Sequence, residues 1–222
     1  MPTIPEIVNE RGIREVLHFT TNLGLTGCLH SGKLFARSHL KKEENLKSIL
    51  TLNAPFRSEE EDWFDQTVKW IDYVNLSISE ITTNLFKHSL KWHAGRDLYW
   101  IILSFDPEIL AHDGVYFSTT NNIYDLTVRG LGPKGLLALF DDVVPRKRHN
   151  GWKAYRGRRA AHLSTCEQAE VLYPDAVPME YLRRVYVRQG EEADRVAAVL
   201  GNFGRADVEV IVDEAKFRGN PN

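Results

Sequence analysis

An imidazole and a hydroxyl flank an aromatic ring in His18-Phe19-Thr20, near the start of a 222-residue chain. On a strand, side chains two residues apart share a face. Held that way at a sheet rim, His18 and Thr20 can grip the hydroxyl groups of a ribose. A satisfied core histidine beside a turn-forming threonine is the plainer use of the same residues. In Gln168-Ala169-Glu170-Val171-Leu172 a carboxylate stands inside an apolar run, where acids are seldom found without a partner or a role. Gln168 and Glu170 share a face by alternation, which the outer side of an edge strand would also give. A third stretch carries seven cations, Arg146, Lys147, Arg148, Lys153, Arg156, Arg158 and Arg159, interleaved with Trp152 and Tyr155 and with no acid. Cations neutralise phosphates and aromatic faces stack on unpaired bases, so this mixture suits single-stranded nucleic acid. A solvated basic loop around one buried tryptophan is its alternative.

Gly130-Leu131-Gly132-Pro133-Lys134-Gly135 matches the spacing of a dinucleotide-binding loop. That fold also needs an acid about 20 residues further on to hold the ribose, and no Asp or Glu lies between Val143 and Cys166. A plain glycine-rich turn is the better reading. The eight histidines show no tight metal-ligand spacing, and there is no nucleophile elbow or phosphate-binding P-loop. No metal is expected.

The elements that must position these residues alternate between types. Glu15 to Phe19 reads as a strand, followed by a helix with Leu25, Cys28 and Leu29 at helical spacing and Gly32 as its stop. Leu34 to Ala36, Tyr73 to Ile78, Tyr99 to Phe105, Val115 to Ser118, Gln168 to Tyr173, Val185 to Val187 and Val208 to Val212 are strand candidates. Helices are expected over Glu43 to Leu50, Ile81 to Leu90, Leu136 to Phe140 and Glu191 to Leu200. A further helix after a Ser58–Glu61 capping box would place Trp63, Phe64, Val68, Trp70 and Ile71 on its apolar side. Asp106-Pro107 opens another. Short strands outnumber helices without a strict βαβ rhythm, which favours an α+β fold on a mixed or antiparallel sheet. No linker-like stretch divides residues 1–222, so one domain is expected.

Composition bounds the class. Hydrophobic residues make up 43% and charged residues 26%, ordinary for a folded globular protein. The net charge of −2 conceals an asymmetry: outside the basic segment, 21 basic residues face 30 acidic ones. A cationic segment on an acidic body points to a local anionic ligand. Cys28 and Cys166 alone make neither a disulfide framework nor a four-ligand zinc site, and they suit a reducing cytosol. The Met-Pro-Thr-Ile-Pro-Glu start shows no signal peptide, and the longest apolar run, Leu98 to Leu103, is too short to cross a bilayer. The expected location is cytoplasmic, with no membrane partner.

Taken together, these pieces resemble the DarT family of DNA ADP-ribosyltransferase toxins. The resemblance rests on Leu17-His18-Phe19-Thr20, on Gly27, Leu29, Gly32 and Leu34, on Tyr73-Val74-Asn75-Leu76-Ser77, and on Gln168 to Leu172 followed by Val177-Pro178-Met179-Glu180-Tyr181. It extends roughly from Arg11 to Val187, and the Q-A-E segment followed by V-P-x-E is its most specific part. It implies an ADP-ribosyltransferase fold with a split mixed or antiparallel sheet flanked by helices, which cleaves NAD and passes ADP-ribose to a DNA base. It implies that His18, Phe19, Thr20, Gly27 and Phe35 hold NAD. It assigns Arg57 to NAD binding and catalysis, although Ala54-Pro55-Phe56 departs from the family's usual surroundings. It makes Glu170 the essential acid, with the basic segment as the substrate-reading loop before it.

On this expectation Glu170 hydrogen-bonds the nicotinamide ribose, stabilises positive charge on the sugar and accepts the proton of the attacking base. Arg57 grips the pyrophosphate, and His18 and Thr20 fix the ribose and carboxamide side. A duplex hides its bases, so the acceptor is expected to be single-stranded. The resemblance also implies a toxin of a toxin–antitoxin or phage-defence pair, with a macrodomain-type antitoxin as partner. RNA stays open as the acceptor. A non-catalytic nucleic-acid-binding module and a nucleotide-dependent oxidoreductase are the rivals from other classes.

Overall fold

The protein is described from a computed structural model, over residues 1–42, 67–92, 98–147 and 151–222. The expected helix at Glu43 to Leu50, the Ser58–Glu61 capping box with Trp63 and Phe64, Arg57 and Arg148 lie outside the described residues.

Helix α1 (Ile4–Arg11) opens the chain, ahead of the first element expected from the sequence. It is capped reciprocally: Thr3 Oγ1 accepts from the Glu6 N–H, and the Glu6 carboxylate accepts from the Thr3 N–H at 2.7 Å. Strand β1 (Val16–Thr21) runs straight into α2 (Asn22–Ser31), whose cap is Thr21 and whose stop is Gly32 at φ 70°. Strand β2 (Lys33–Phe35) follows. Of the helix expected after the capping box only the end is described, and there Trp70–Asp72 forms a 3₁₀ turn. The Asp72 carbonyl accepts from the Asp175 N–H, which ties this turn to its neighbour and leads directly into β3 (Tyr73–Ile78).

Helix α3 (Thr83–Trp92) and β4 (Trp100–Phe105) come next, the latter buried at all six positions. Asp106-Pro107 starts a 3₁₀ turn rather than an α-helix. Then follow β5 (Tyr116–Ser118), β6 (Arg129–Leu131), α4 (Gly132–Ala138), β7 (Val143–Lys147) and β8 (Trp152–Tyr155). The chain closes with β9 (Glu170–Pro174), β10 (Ala176–Pro178), β11 (Leu182–Val187), α5 (Gly190–Asn202) and β12 (Glu209–Val212).

Among the described residues, eight strands form one sheet in the order β12-β11-β4-β1-β3-β9-β5-β6, while β2–β10 and β7–β8 make two small antiparallel pairs. Of these pairings only β11–β12 is parallel, so the main sheet is mixed. One face packs Val16, Ile101 and Leu103 under Ile7 of α1, Leu25 of α2, Leu136 of α4 and Leu200 of α5. The other packs Leu17, Ile102 and Tyr186 against Phe86 of α3 and Phe217. Chain ends meet here too: the buried Glu15 carboxylate accepts from Ser104 Oγ (2.9 Å) and Tyr186 Oη (2.8 Å) and pairs with Lys216.

The sheet is split near its centre. Strand β1 pairs with β4 at six positions, but with β3 only at Val16–Ile78 and Leu17–Ser77. Beyond that second pair the two strands part, and His18 is the first residue past it.

The glycine motif is a turn. Gly130 lies in β6 and Gly135 in α4, packed so closely that a Cβ on Gly135 would overlap the Gly130 carbonyl. Gly132 makes the bend between them at φ 62°. The spacing serves strand-to-helix packing, in keeping with the missing acid downstream.

Candidate active site

His18 lies in the opening of the split. Its Nδ1 is 3.0 Å from the Asn75 carbonyl of β3, a bond made across the gap where the ladder has ended. A carbonyl only accepts, so Nδ1 carries the hydrogen and a neutral ring has Nε2 as an acceptor. Burial pushes the imidazole below its ordinary value, with the Asn75 carbonyl opposing in part. The ring is thus held neutral, with Nε2 able to accept from a sugar hydroxyl.

Thr20, two residues further along the strand, is buried. Its Oγ1 presses against Gly24 in the first turn of α2, where a Cβ would overlap it. The Phe19 ring turns to the opposite face and packs edge-on against Phe86 (5.4 Å) and near Trp100 (5.8 Å). The same ring lies 6.4 Å from the His18 ring and nearly parallel to it. Gly27 sits in the middle of α2, its carbonyl accepting from Ser31 Oγ at 2.9 Å. Phe35 ends β2 and lies half-buried, 6.4 Å from the His39 ring.

Glu170 is the first residue of β9 and is buried. Its Oε2 accepts from the Asn122 N–H at 2.8 Å. The β3–β9 ladder ends at Leu76–Val171, which sets Glu170 alongside Ser77, the residue that closes the β1–β3 ladder. His18 and Glu170 therefore lie on the two strands that flank β3, each one residue past the end of its ladder with β3. On an unbroken sheet, alternation would put them on opposite faces. The parting of β1 from β3 is what turns the His18 ring into the gap.

Residues 119–128, which join β5 to β6, fold back over Glu170, and no motif read from the sequence includes them. Asn122 is 2% exposed and is held by Arg129, whose Nε donates to Asn122 Oδ1 (2.5 Å) and whose Nη2 donates to the Asn122 carbonyl (2.6 Å). Tyr124 hydrogen-bonds Gln168, and burial pushes its hydroxyl upward. The only signal in the sequence is the polar run Ser118-Thr119-Thr120-Asn121-Asn122.

The basic segment proves to be a hairpin rather than a loop. Its register pairs Val143 with Tyr155 and Pro145 with Lys153, both on the outer face. Val144 and Ala154 face inward, onto buried Cys166. The same alternation buries Arg146, 1% exposed, which corrects its assignment to nucleic acid. Its guanidinium donates to the Asn222 side-chain oxygen at 3.0 Å and lies 4.6 Å under the Trp152 ring. Arg156 and Arg159 are also spent internally. Arg156 donates to the carbonyls of Leu163 (3.1 Å), Ala160 (3.2 Å) and Ala161 (3.3 Å). Arg159 donates to the Ser164 carbonyl (2.8 Å) and pairs with the buried Glu80. Each guanidinium satisfies carbonyls of an irregular segment that has no ladder of its own.

What remains outward is a smaller surface: Lys153, Tyr155 and Arg158 exposed, Trp152 39% exposed, and Lys147 half-buried with Nζ 4.4 Å over the Tyr124 ring. Through Tyr124 this surface reaches Gln168 and so the start of β9. Among the described residues no three His, Cys, Asp or Glu side chains cluster as metal ligands.

No curated protein matches the chain. Solved structures share its fold. A Thermosipho africanus DarTG in complex with ADP-ribose superposes with a TM-score of 0.60 at 15% identity, over 94% of this chain and 52% of that one. The chain thus spans about half the length of that protein. A Thermus sp. 2.9 DarT in complex with NAD+ gives 0.60 at 15% identity, over 91% of this chain and 96% of that one. The same Thermus protein in complex with ADP-ribosylated ssDNA gives 0.61 at 13% identity, over 92% and 96%. These likenesses establish the split-sheet α+β architecture as the ADP-ribosyltransferase fold. The family model described as ssDNA thymidine ADP-ribosyltransferase, DarT, matches residues 17–218, and the chain belongs to that family.

Proposed function

We propose that this protein is an NAD-dependent ADP-ribosyltransferase that modifies thymidine in single-stranded DNA. The observation that carries the reading is the buried Glu170 carboxylate at the head of β9, with β3 between it and the strand that carries His18 at the split. Membership of the family supplies the substrate class.

The residues fit NAD. Neutral His18 offers Nε2 as an acceptor and Thr20 offers a hydroxyl, a donor–acceptor pair suited to a sugar diol. Gly27 of α2 and Phe35 of β2 are assigned to NAD, and Arg57 to the pyrophosphate and to catalysis, by family resemblance alone. Breaking the bond between nicotinamide and its ribose builds positive charge on the sugar. A carboxylate fixed beside it stabilises that charge. Nicotinamide leaves neutral, so one acid suffices: Glu170 also takes the proton released when the base nitrogen attacks.

The DNA strand lies along the outer face of the β7–β8 hairpin, with Trp152 and Tyr155 stacking on bases and Lys147, Lys153 and Arg158 meeting phosphates. Residues 1–222 act as one catalytic unit, since the main sheet draws strands from both Val16 and Val212. The biological role is that of a toxin held in check by a macrodomain-type antitoxin, in the cytoplasm. No helix among the described residues is long and apolar enough to cross a membrane.

Mass spectrometry of a thymidine-containing single-stranded oligonucleotide after incubation with NAD tests the proposal. The expected product carries one added ADP-ribose on thymidine. Label on the matched RNA alone would move the acceptor to RNA. Unmodified DNA and RNA, with binding retained, would leave only a binding module.

A further inference from the structure

Ser118 is the middle of a three-strand rung. It pairs with Glu170 on β9 at one side and with Arg129 on β6 at the other. Paired positions project from the same face, so Glu170 and Arg129 stand on one side of the sheet with a single strand between them. The 119–128 connection folds back into that space and places Asn122 between the two charges. Asn122 gives its N–H to Glu170 Oε2 and yields both its side-chain oxygen and its carbonyl to Arg129. The guanidinium is itself fixed against the buried Trp70, 4.8 Å from the ring centroid. Ser118 Oγ completes the arrangement by bonding the Thr120 carbonyl (2.9 Å) and Thr127 Oγ1 (2.7 Å), two more points on the same connection.

We propose that Arg129 is a positioning residue for Glu170: it clamps Asn122 so that the Asn122 N–H fixes the carboxylate in the orientation that meets the substrate sugar. The proposal rests on the reading of Glu170 as the acid of the transfer. The physical case is one of freedom removed. A glutamate at the first position of a strand has three side-chain torsions to restrict. The hydrogen bond from the Asn122 N–H restricts them when that backbone is itself held. The backbone of a ten-residue connection is not rigid alone; a two-pronged grip from a stacked guanidinium makes it so.

The test uses Arg129→Met, which keeps the stem against Trp70, Arg129→Lys, which restores charge but not the fork, and Asn122→Ala, which removes only the Oδ1 contact. Glu170→Gln is the reference. The readouts are kcat and KM for NAD in transfer to a thymidine oligonucleotide, and the thermal midpoint of each variant. A misplaced acid costs rate on the order of 10- to 100-fold, so Arg129→Met is expected to lose kcat in that range with KM for NAD changed less than about twofold. Arg129→Lys should recover part of the loss, and Asn122→Ala should fall between it and the native protein. If Arg129→Met does not fold, Asn122→Ala carries the test by itself. Native kcat in the folded variants, or a loss confined to KM, overturns the positioning role while an inactive Glu170→Gln leaves the acid in place. Full transfer by Glu170→Gln overturns the reading of Glu170 itself.

Discussion

The Nδ1 of His18 stands 3.0 Å from the carbonyl of Asn75, across a gap that a continuous sheet would have closed with backbone bonds. One side chain replaces the ladder at the point where the sheet parts. That contact fixes the tautomer of the ring and keeps it in the opening. Its consequence for pH follows from the direction of the shift. The folded imidazole sits below its ordinary value, so the native state binds fewer protons than the unfolded chain as pH falls under about 6.5. His18 therefore takes nothing from stability above that pH and removes an increasing share below it. Urea midpoints between pH 7 and 5 should decline for the native protein with a His18 share of at most about 1.4 kcal/mol per pH unit. His18→Gln should lack that share. Parallel curves for the two proteins would refute it.

The hairpin separates two kinds of cation, and salt should tell them apart. Lys153 and Arg158 are exposed. Changing both to glutamate should weaken oligonucleotide binding and lower the salt slope by about 0.7 for each phosphate no longer neutralised. Fluorescence anisotropy at several salt concentrations reads both effects. An unchanged slope would remove these residues from the interface.

Arg146 belongs to the other kind. It is buried and bonded to Asn222. Arg146→Met should destabilise the fold by roughly 1–3 kcal/mol, because it removes a buried guanidinium's hydrogen bonds to Asn222 and its contact with the Trp152 ring. Urea unfolding measures this, and native stability in the variant would return Arg146 to the surface set.

Two glycines in helices should respond oppositely to alanine. A Cβ on Gly135 meets the backbone of Gly130, which cannot yield without moving β6. Gly135→Ala should cost about 1–3 kcal/mol by overpacking. A Cβ on Gly201 in α5 meets nothing within 4 Å. Gly201→Ala should gain roughly 0.5–1 kcal/mol, since the unfolded chain loses freedom. Thermal midpoints that move the same way in both would contradict the packing at the glycine turn.

Both thiols should be silent in the native state. Cys28 and Cys166 are free and buried. Burial pushes the Cys28 thiol up to about 12, so almost none of it is thiolate at pH 8. Neither should react with a soluble disulfide reagent until urea unfolds the protein. Rapid labelling of the folded chain would show an opening that the fold does not have.

Local information sufficed for much of this molecule. Tyr73 to Ile78 alternates and forms β3 with those ends; Gly32 stops α2 because only a left-handed residue closes it; and Trp100 to Phe105, apolar but for Ser104, becomes the fully buried β4. Glu170 could be singled out as well, because a carboxylate in an apolar run calls for a partner, and it is buried and accepts from the Asn122 N–H. Such signals are carried by neighbours in the chain, through propensity, capping and alternation. What the sequence did not disclose was register between distant strands. Nothing local places Asn122 against Glu170, 48 residues away, or turns His18 onto a carbonyl 57 residues on. Nor does a basic run announce that alternate residues of a hairpin will send Arg146 inward and leave Lys153 out. Those choices belong to pairings that form only when the whole sheet closes, where many weak contacts act together, and they decide which charges meet water and which meet each other.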